Sequence, residues 1–584
     1  MDPTSNHLSP RPRRALGASL LVAVALASLA TLSGGLPGGA AGAPVAATPL
    51  AAAPGGTVAG APWETAGPYP AAFDLRDAGL VTGVRSQDNY STCWIMAATG
   101  ALESSVLRHE GLPLDFSENN LANHMASRLD YEGMAPSELA LAYHARWEGP
   151  VLESSDGYPR PGQSPPYLRA VRHVQEALFL PARRGPLDNA AVKWAIMNHG
   201  GADAAIDFRV QDEYRSWNAS THAYYNADRR EPNHHVLIVG WDDGYPASGF
   251  LAESRPPGDG AFLIKNSWGT DFAAEGYAWI SYHDATIGDA PVVFSGVEPA
   301  GNYDAVYQYD ALGRSAWLGA GGGETAWFAN RFTAAGKGTV AAVSFYTPVT
   351  GTAYEVRVAG RLQSIAAAPA AATGTIAVPG YHTVRLEQPA AVAAGQAFVV
   401  AVRVDAPGWD RPVPVEASSE LIAPRARSGQ SYVSADGAAW SDLTTLTSRP
   451  GLRRANVCLK AFVDASAAAD TRAPRVVVRG GVVRRGAMTL IRWRLEDPAF
   501  SSASAIVELR VRDAAGRVVA QRRIPAVAVG ERGAWSVRAG WPNGRYSVTG
   551  RAFDVAGRLQ PSASRAAVIV RGGTAPAVAA AFRR

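Results

Sequence analysis

With 584 residues the chain exceeds what one hydrophobic core organises, and ordinary domain sizes divide it into about three or four units. Hydrophobic residues make up 47% and charged residues 18%, which excludes a disordered polyelectrolyte, and the two cysteines exclude a disulfide-stapled scaffold. The net charge of +4 conceals an asymmetry, because residues 472–584 carry 21 arginines, no lysine and six acidic residues, a net +15, which leaves −11 on residues 1–471.

In chain order, Arg11, Arg13 and Arg14 precede an apolar run at 15–33, followed by small residues. That order reads as a secretory signal peptide, expected over 1–43, with an N-terminal membrane anchor as the alternative. It implies a secreted or cell-surface protein with no transmembrane segment after signal removal. Residues 44–70 are rich in Ala, Pro and Gly and read as a linker, with regular structure expected from about Phe73. Thr92 followed by CWIMAATGALESSVLRH reads as an N-cap and a helix. HHVLIVGWDD (234–243), GAFLIKNSWG (260–269) and GYAWISY (276–282) read as strands.

From about residue 300 the pattern changes to short alternating segments with Gly/Pro turns, such as 339–348, 353–360 and 397–404. This predicts an all-β sandwich over 296–463. A polar, Ala-rich joint at 464–474 separates it from a third unit at 475–572, which alternates again and reads as an immunoglobulin-like β-sandwich. Residues 573–584 read as a disordered tail. The basic third unit favours an anionic cell-surface polymer or acidic head groups, and a plain Arg-rich solvated strand face gives the same pattern.

The chemistry concentrates around Cys93. A thiol becomes a strong nucleophile as thiolate, and the free N–H groups and dipole of a helix N-terminus stabilise that anion. A nearby imidazole can take the thiol proton and later protonate a leaving amine, if a third group orients it and donors await the oxyanion. The chain supplies each part. Gln87 lies six residues before Cys93, His234 and His235 open a strand, and Asn266 closes another, with Trp268 able to shield the His–Asn bond. No metal-ligand spacing, phosphate loop or dinucleotide fingerprint is present, so no cofactor or metal is expected.

The segments FDLRDAGLVTGVRSQDNYSTCW, LDFSENNL, HHVLIVGWDDGY and GAFLIKNSWGTDFAAEGYAWISY stand in one order over more than 200 residues. Together they resemble the papain-like cysteine peptidases, and the resemblance covers residues 71–295. It implies an α+β papain-like fold and protein or peptide substrates. Carried over residue by residue, it implies Cys93 as nucleophile, His234 as general base and acid, Asn266 as orienter of the imidazole and Gln87 as oxyanion donor. His235 then fills the small-residue slot after the histidine. Glu103, Ser117 and Glu118 match structural positions of that fold. The β-region ending in ANVCLKAF is similar to the lectin-like domain of bacterial members, which makes Cys458 inert packing and carbohydrate a possible partner, with Trp317, Trp327 and Trp409 as candidate sugar platforms; no specific nucleic acid is expected. Two positions depart from the family pattern: Ser91 and Asp88 stand where glycines are common. A weak enzyme acting as a surface binding protein through its β-domains is the alternative reading.

Overall fold

The computed structural model describes residues 60–572, apart from breaks at 126–128, 130, 166, 211–214, 322, 447–449, 466–472, 497–503 and 555–557. The expected signal peptide and tail, residues 44–59 of the expected linker and most of the 464–474 joint lie outside the described residues.

Regular structure starts earlier than the sequence reading places it. A helical turn, α1 (Pro62–Thr65), sits inside the expected linker because its Trp63 packs edge-on against Trp194 at 5.8 Å. The Trp241 indole N–H donates to Pro70 O at 3.0 Å, tying the same stretch to the sheet. Apolar anchors override the Pro/Gly composition there.

The helical half comprises α2 (Cys93–Glu110), α3 (Glu118–His124) and α4 (Ser137–Ala145). Helix α2 is buried from Cys93 through Val106 and stops at Gly111, whose φ of 68° is the left-handed conformation that closes a helix. Thr92 occupies the N-cap position but makes no side-chain cap, because its Oγ1 pairs with the Tyr158 hydroxyl at 2.7 Å. The strand half contains β1 (Ala72–Asp74), β2 (Arg172–Phe179), helix α5 (Ala190–His199), β3 (Ala202–Ile206), β4 (Trp217–Asn218), β5 (Ala223–Tyr224), β6 (His234–Asp242), β7 (Ala261–Lys265), β8 (Tyr277–Ser281) and β9 (Val292–Pro299). Strand β6 is buried on both faces over His234–Trp241, which explains its unbroken apolar run.

The expected boundary at 295/296 falls inside β9, and the two regions share one 13-stranded sheet. Its order runs from Ala305–Tyr307 through Leu459–Ala465, Gly338–Thr347 and Gly380–Val392 to β2, then β9, β3, β6, β7, β8, β5 and β4. The junction is the antiparallel pairing of Gly380–His382 with Glu176–Leu178. It forms because β2 leaves a free edge, and an unpaired strand edge is costly unless another strand covers it. Side chains reinforce it: His382 Nδ1 meets Glu176 Oε1 at 2.9 Å, and Trp147 stacks on His173 at 3.8 Å and on Phe462 at 5.5 Å. A second sheet of six strands packs over the β-region to close a core around Phe328, Phe345, Val400 and Val402.

Residues 475–571 form a β-sandwich of a three-stranded and a five-stranded sheet around Ile491, Trp493, Leu509 and Val548. It meets the helical half through Tyr167, whose hydroxyl donates to Glu508 at 2.7 Å, and through Arg523, 3.4 Å from the buried Glu148. Among the described residues, no helix is long and apolar enough to cross a membrane.

Gly380 tests the sheet junction, because a Cβ there would meet Ala177 O at 2.1 Å. We expect Gly380→Val to cost about 1–3 kcal/mol and to split the calorimetric transition into two. A single, unshifted transition would show that the pairing is incidental to stability.

Candidate active site

Cys93 is the first residue of α2, so its own N–H and that of Trp94 have no intrahelical acceptor. These two amides and the backbone N–H of His235 face the sulfur. The loop before it is held by an aromatic cluster. Tyr131 lies 4.9 Å from Tyr90 and 5.5 Å from Tyr158, and the Tyr158 hydroxyl donates to Gln87 O at 2.9 Å. Ser91 N donates to Tyr131 O at 2.9 Å, so the residue standing in place of a glycine is fixed by its backbone. Asp88 has φ 51°, a conformation glycine adopts without cost. Its carboxylate accepts from Ser86 Oγ at 2.8 Å and its N–H donates back to that hydroxyl at 3.1 Å, and aspartate is among the residues that tolerate the left-handed region.

The two histidines at the start of β6 have different partners. His234 Nε2 meets Asn266 Oδ1 at 2.7 Å, whereas His235 Nδ1 meets the buried Asp203 at 2.8 Å. Period-two alternation sends them to opposite faces. Asn266 Oδ1 also accepts from Ser267 N at 2.8 Å, so His234 Nε2 is the donor and Nδ1 is left as the acceptor. Trp268, 4.9 Å from the imidazole, and Phe208, nearly parallel at 5.7 Å, shield the ring from water.

Gln87 is buried. Its Oε1 accepts from Ser267 Oγ at 2.6 Å, and its Nε2 donates to Tyr90 O at 2.7 Å, leaving the second amide hydrogen free. Ser267, Phe208, Asp203 and Tyr158 were not singled out from the sequence. Ser267 had a signal, since it stands between two chosen residues in KNSWG; the other three are distant in sequence from every chosen residue.

Residues 69–293 match the sequence model of the papain family of cysteine proteases, and residues 306–463 match that of a lectin-like domain. Procathepsin L of Felis catus is 30% identical over 214 residues, 36% of this chain and 59% of that protein. Cathepsin K of Mus musculus is 27% identical over 220 residues, 38% of this chain and 61% of that protein. The chain thus spans less than two thirds of these relatives. The solved cysteine protease and lectin-like domains of Cwp84, a surface layer associated protein of Clostridium difficile, superpose with a TM-score of 0.59 at 25% identity. That likeness covers 68% of this chain and 90% of the other. Residues 69–293 are a papain-family cysteine peptidase domain.

The papain-type domain buries both Cys93 and His234. Burial pushes the Cys93 thiol up to about 11, against the backbone amides of His235, Trp94 and Cys93 itself, which pull it down. Burial likewise lowers His234 to about 4, opposed by its bond to Asn266 and assisted by the neighbouring His235. Desolvation therefore favours the neutral thiol and neutral imidazole, in contrast to a standing thiolate–imidazolium pair. Should Cys93 and His234 act as a pair, one proton is shared between them across the range between these two values and can pass from sulfur to Nδ1 without exchange with solvent. Cys458 is fully buried beneath Tyr346 and Tyr381, and burial drives its thiol far up, which makes it unreactive packing.

Of the candidate sugar platforms, Trp327 is buried beneath Arg357, and Trp317 is partly buried with Arg314 over its ring at 4.8 Å. Trp409 is half-exposed. None of the three is an open aromatic face.

Alkylation of Cys93 by a neutral reagent checks the shared proton. The rate should fall as pH drops through about 4, where His234 gains a second proton for the pair, hold level above that, and rise again toward about 11. His234→Ala should erase the plateau and leave only the alkaline rise. A plateau that survives the substitution would assign the proton acceptor elsewhere.

Proposed function

We propose that the protein is an exported cysteine endopeptidase that hydrolyses peptide bonds through an acyl-enzyme on Cys93. The observation that carries this reading is the separate pairing of His234 with Asn266 and of His235 with Asp203, beside a cysteine at a buried helix N-terminus. Cys93 Sγ passes its proton to His234 Nδ1 and attacks the scissile carbonyl carbon. The resulting oxyanion is held by the Cys93 N–H and the free amide hydrogen of Gln87. His234 returns the proton to the amine nitrogen as the C–N bond breaks. A water molecule then attacks the thioester, giving its proton to Nδ1, and the acid leaves as Cys93 recovers its thiol. Asn266 keeps Nε2 protonated and the ring turned toward the sulfur throughout.

Protein or peptide substrates follow from this chemistry. Export follows from the leader-like residues 1–43 and gains support from the surface-layer association of Cwp84. In this reading 71–295 is the catalytic unit, 296–463 a lectin-like module and 475–572 an immunoglobulin-like module that holds the enzyme at an anionic surface. Carbohydrate remains a ligand class for the lectin-like module.

Residues 44–584 treated with an epoxysuccinyl reagent should carry one adduct, on Cys93, absent in Cys93→Ala and slower by about 10²–10⁴-fold in His234→Ala. Labelling confined to Cys458 would overturn the assignment. Ser267→Ala should lower kcat/KM on a fluorogenic peptide by about 5–10-fold while the adduct still forms, because only the oxyanion donor is loosened. Equal loss in both assays would place Ser267 with the thiol chemistry instead.

A further inference from the structure

The outer face of the three-stranded sheet carries more positive charge than its own acidic residue offsets. On its strands Arg475–Arg479, Met488–Glu496 and Arg532–Arg538, burial alternates, and Arg475, Arg479, Arg492, Arg494, Arg532 and Arg538 all point outward and are exposed. Glu496 is the one acidic residue on these strands, and it lies 3.4 Å from Arg494. The register sets Arg479 directly opposite Arg492 and Arg494 directly opposite Arg532. Like charges facing each other across a strand pair repel, so the sheet holds these arginines against a local penalty.

Exposed apolar side chains gather at one end of the same face. Met488 is 57% exposed and Leu490 44%, both on the outward side of the strand Met488–Glu496. Met488 stands opposite Arg538, and Arg484 and Arg485 lie just before it in the chain. Contacts with the helical half come from the five-stranded sheet, through Glu508, Phe553 and Arg523. The three-stranded sheet touches the β-region only at one corner among the described residues, where Arg425 and Arg427 pair with Glu531 and Arg427 donates to Arg532 O, so the outward arginine side chains are left to solvent.

We propose that this face docks on an anionic phospholipid surface. Guanidinium groups bind lipid phosphates in bidentate fashion, and several basic groups near an anionic leaflet add their attractions. Met488 and Leu490 enter the boundary between head groups and acyl chains, while the arginine stems lie along it with their charged ends on the phosphates. A polyanion in water would pair with the arginines but leave the apolar cluster unused, which favours the lipid surface. The docking does not depend on the peptidase activity.

The test is sedimentation of residues 44–584, carrying Cys93→Ala, with vesicles of phosphatidylcholine alone or mixed with phosphatidylglycerol. We expect binding to the mixed vesicles only, weakened by salt. The combined variant Arg479→Gln, Arg492→Gln, Arg494→Gln and Arg532→Gln should bind about tenfold or more weaker. Met488→Ser with Leu490→Ser should weaken binding severalfold and leave its salt dependence in place. All the substituted positions are exposed and the arginine variant loses a like-charge repulsion, so neither variant should melt lower than the parent. Equal binding to both vesicle types, or full binding by the arginine variant, overturns the proposal. Binding to soluble polyphosphate without binding to mixed vesicles also overturns it, in favour of a polyanion.

Discussion

Burial of helix α2 along 14 consecutive residues is the constraint on which the rest of the papain-type domain depends. A helix enclosed on all sides cannot leave its polar residues to water, and Glu103 and Ser104 take partners from surrounding loops, while Ser105 Oγ is buried without one. Ser104 Oγ donates to Leu80 O at 2.6 Å and accepts from Gly201 N at 2.9 Å. Glu103 Oε2 accepts from Thr82 Oγ1 at 2.5 Å, and its Oε1 accepts from Phe116 N at 2.9 Å. Lys265 Nζ donates to Thr82 O at 3.0 Å, so the residue immediately before Asn266 is bound to the same loop that holds Glu103. Burial raises the Glu103 carboxyl and lowers the Lys265 ammonium, while their mutual attraction opposes both shifts. The contacts that satisfy the helix therefore also fix the end of β7, and with it Asn266 opposite His234.

The same economy governs the loop ahead of the nucleophile. Both cysteines are free and buried, so no covalent cross-link among the described residues holds residues 87–92 beside residue 131. The Tyr90–Tyr131–Tyr158 cluster and the Ser91–Tyr131 backbone bond do so by packing and hydrogen bonding. Ser267 then couples the two sides of the site. Its N–H binds the Asn266 oxygen and its hydroxyl binds the Gln87 oxygen, so Asn266 and Gln87 share one support.

The β-region is built into the catalytic one through the β2 edge and through buried charges. Arg314 reaches Glu138 on α4 at 3.0 Å, and Arg146 donates to Ala311 O at 3.0 Å. Such pairs add little net stability over an apolar core, but breaking one is costly, so they specify how the two regions fit together. The terminal sandwich has fewer ties of this kind and keeps its arginines on the outside.

Much of the site is legible in local sequence. A cysteine after a cap position, a histidine opening an apolar strand and an asparagine before Ser-Trp-Gly are each short-range patterns, and the strands at 234–242 and 261–265 follow from composition. What a local pattern misses are partners far away in the chain. The choice between His234 and His235 is visible as alternation, but the reason His235 can be buried is Asp203, 32 residues earlier. The linker reading fails over 62–70 because Trp63 finds Trp194, and the domain boundary fails because β9 and β2 extend one sheet into the next region. By itself the sequence determined the identities and order of the reactive groups and the period of each element, since both are written in neighbouring residues. The tertiary structure alone decided that burial works against the charged forms of Cys93 and His234, that Ser267 touches both Asn266 and Gln87 and that two regions share a sheet. Desolvation, hydrogen-bond partners and strand edges are properties of what packs against a residue, and those neighbours come from elsewhere in the chain.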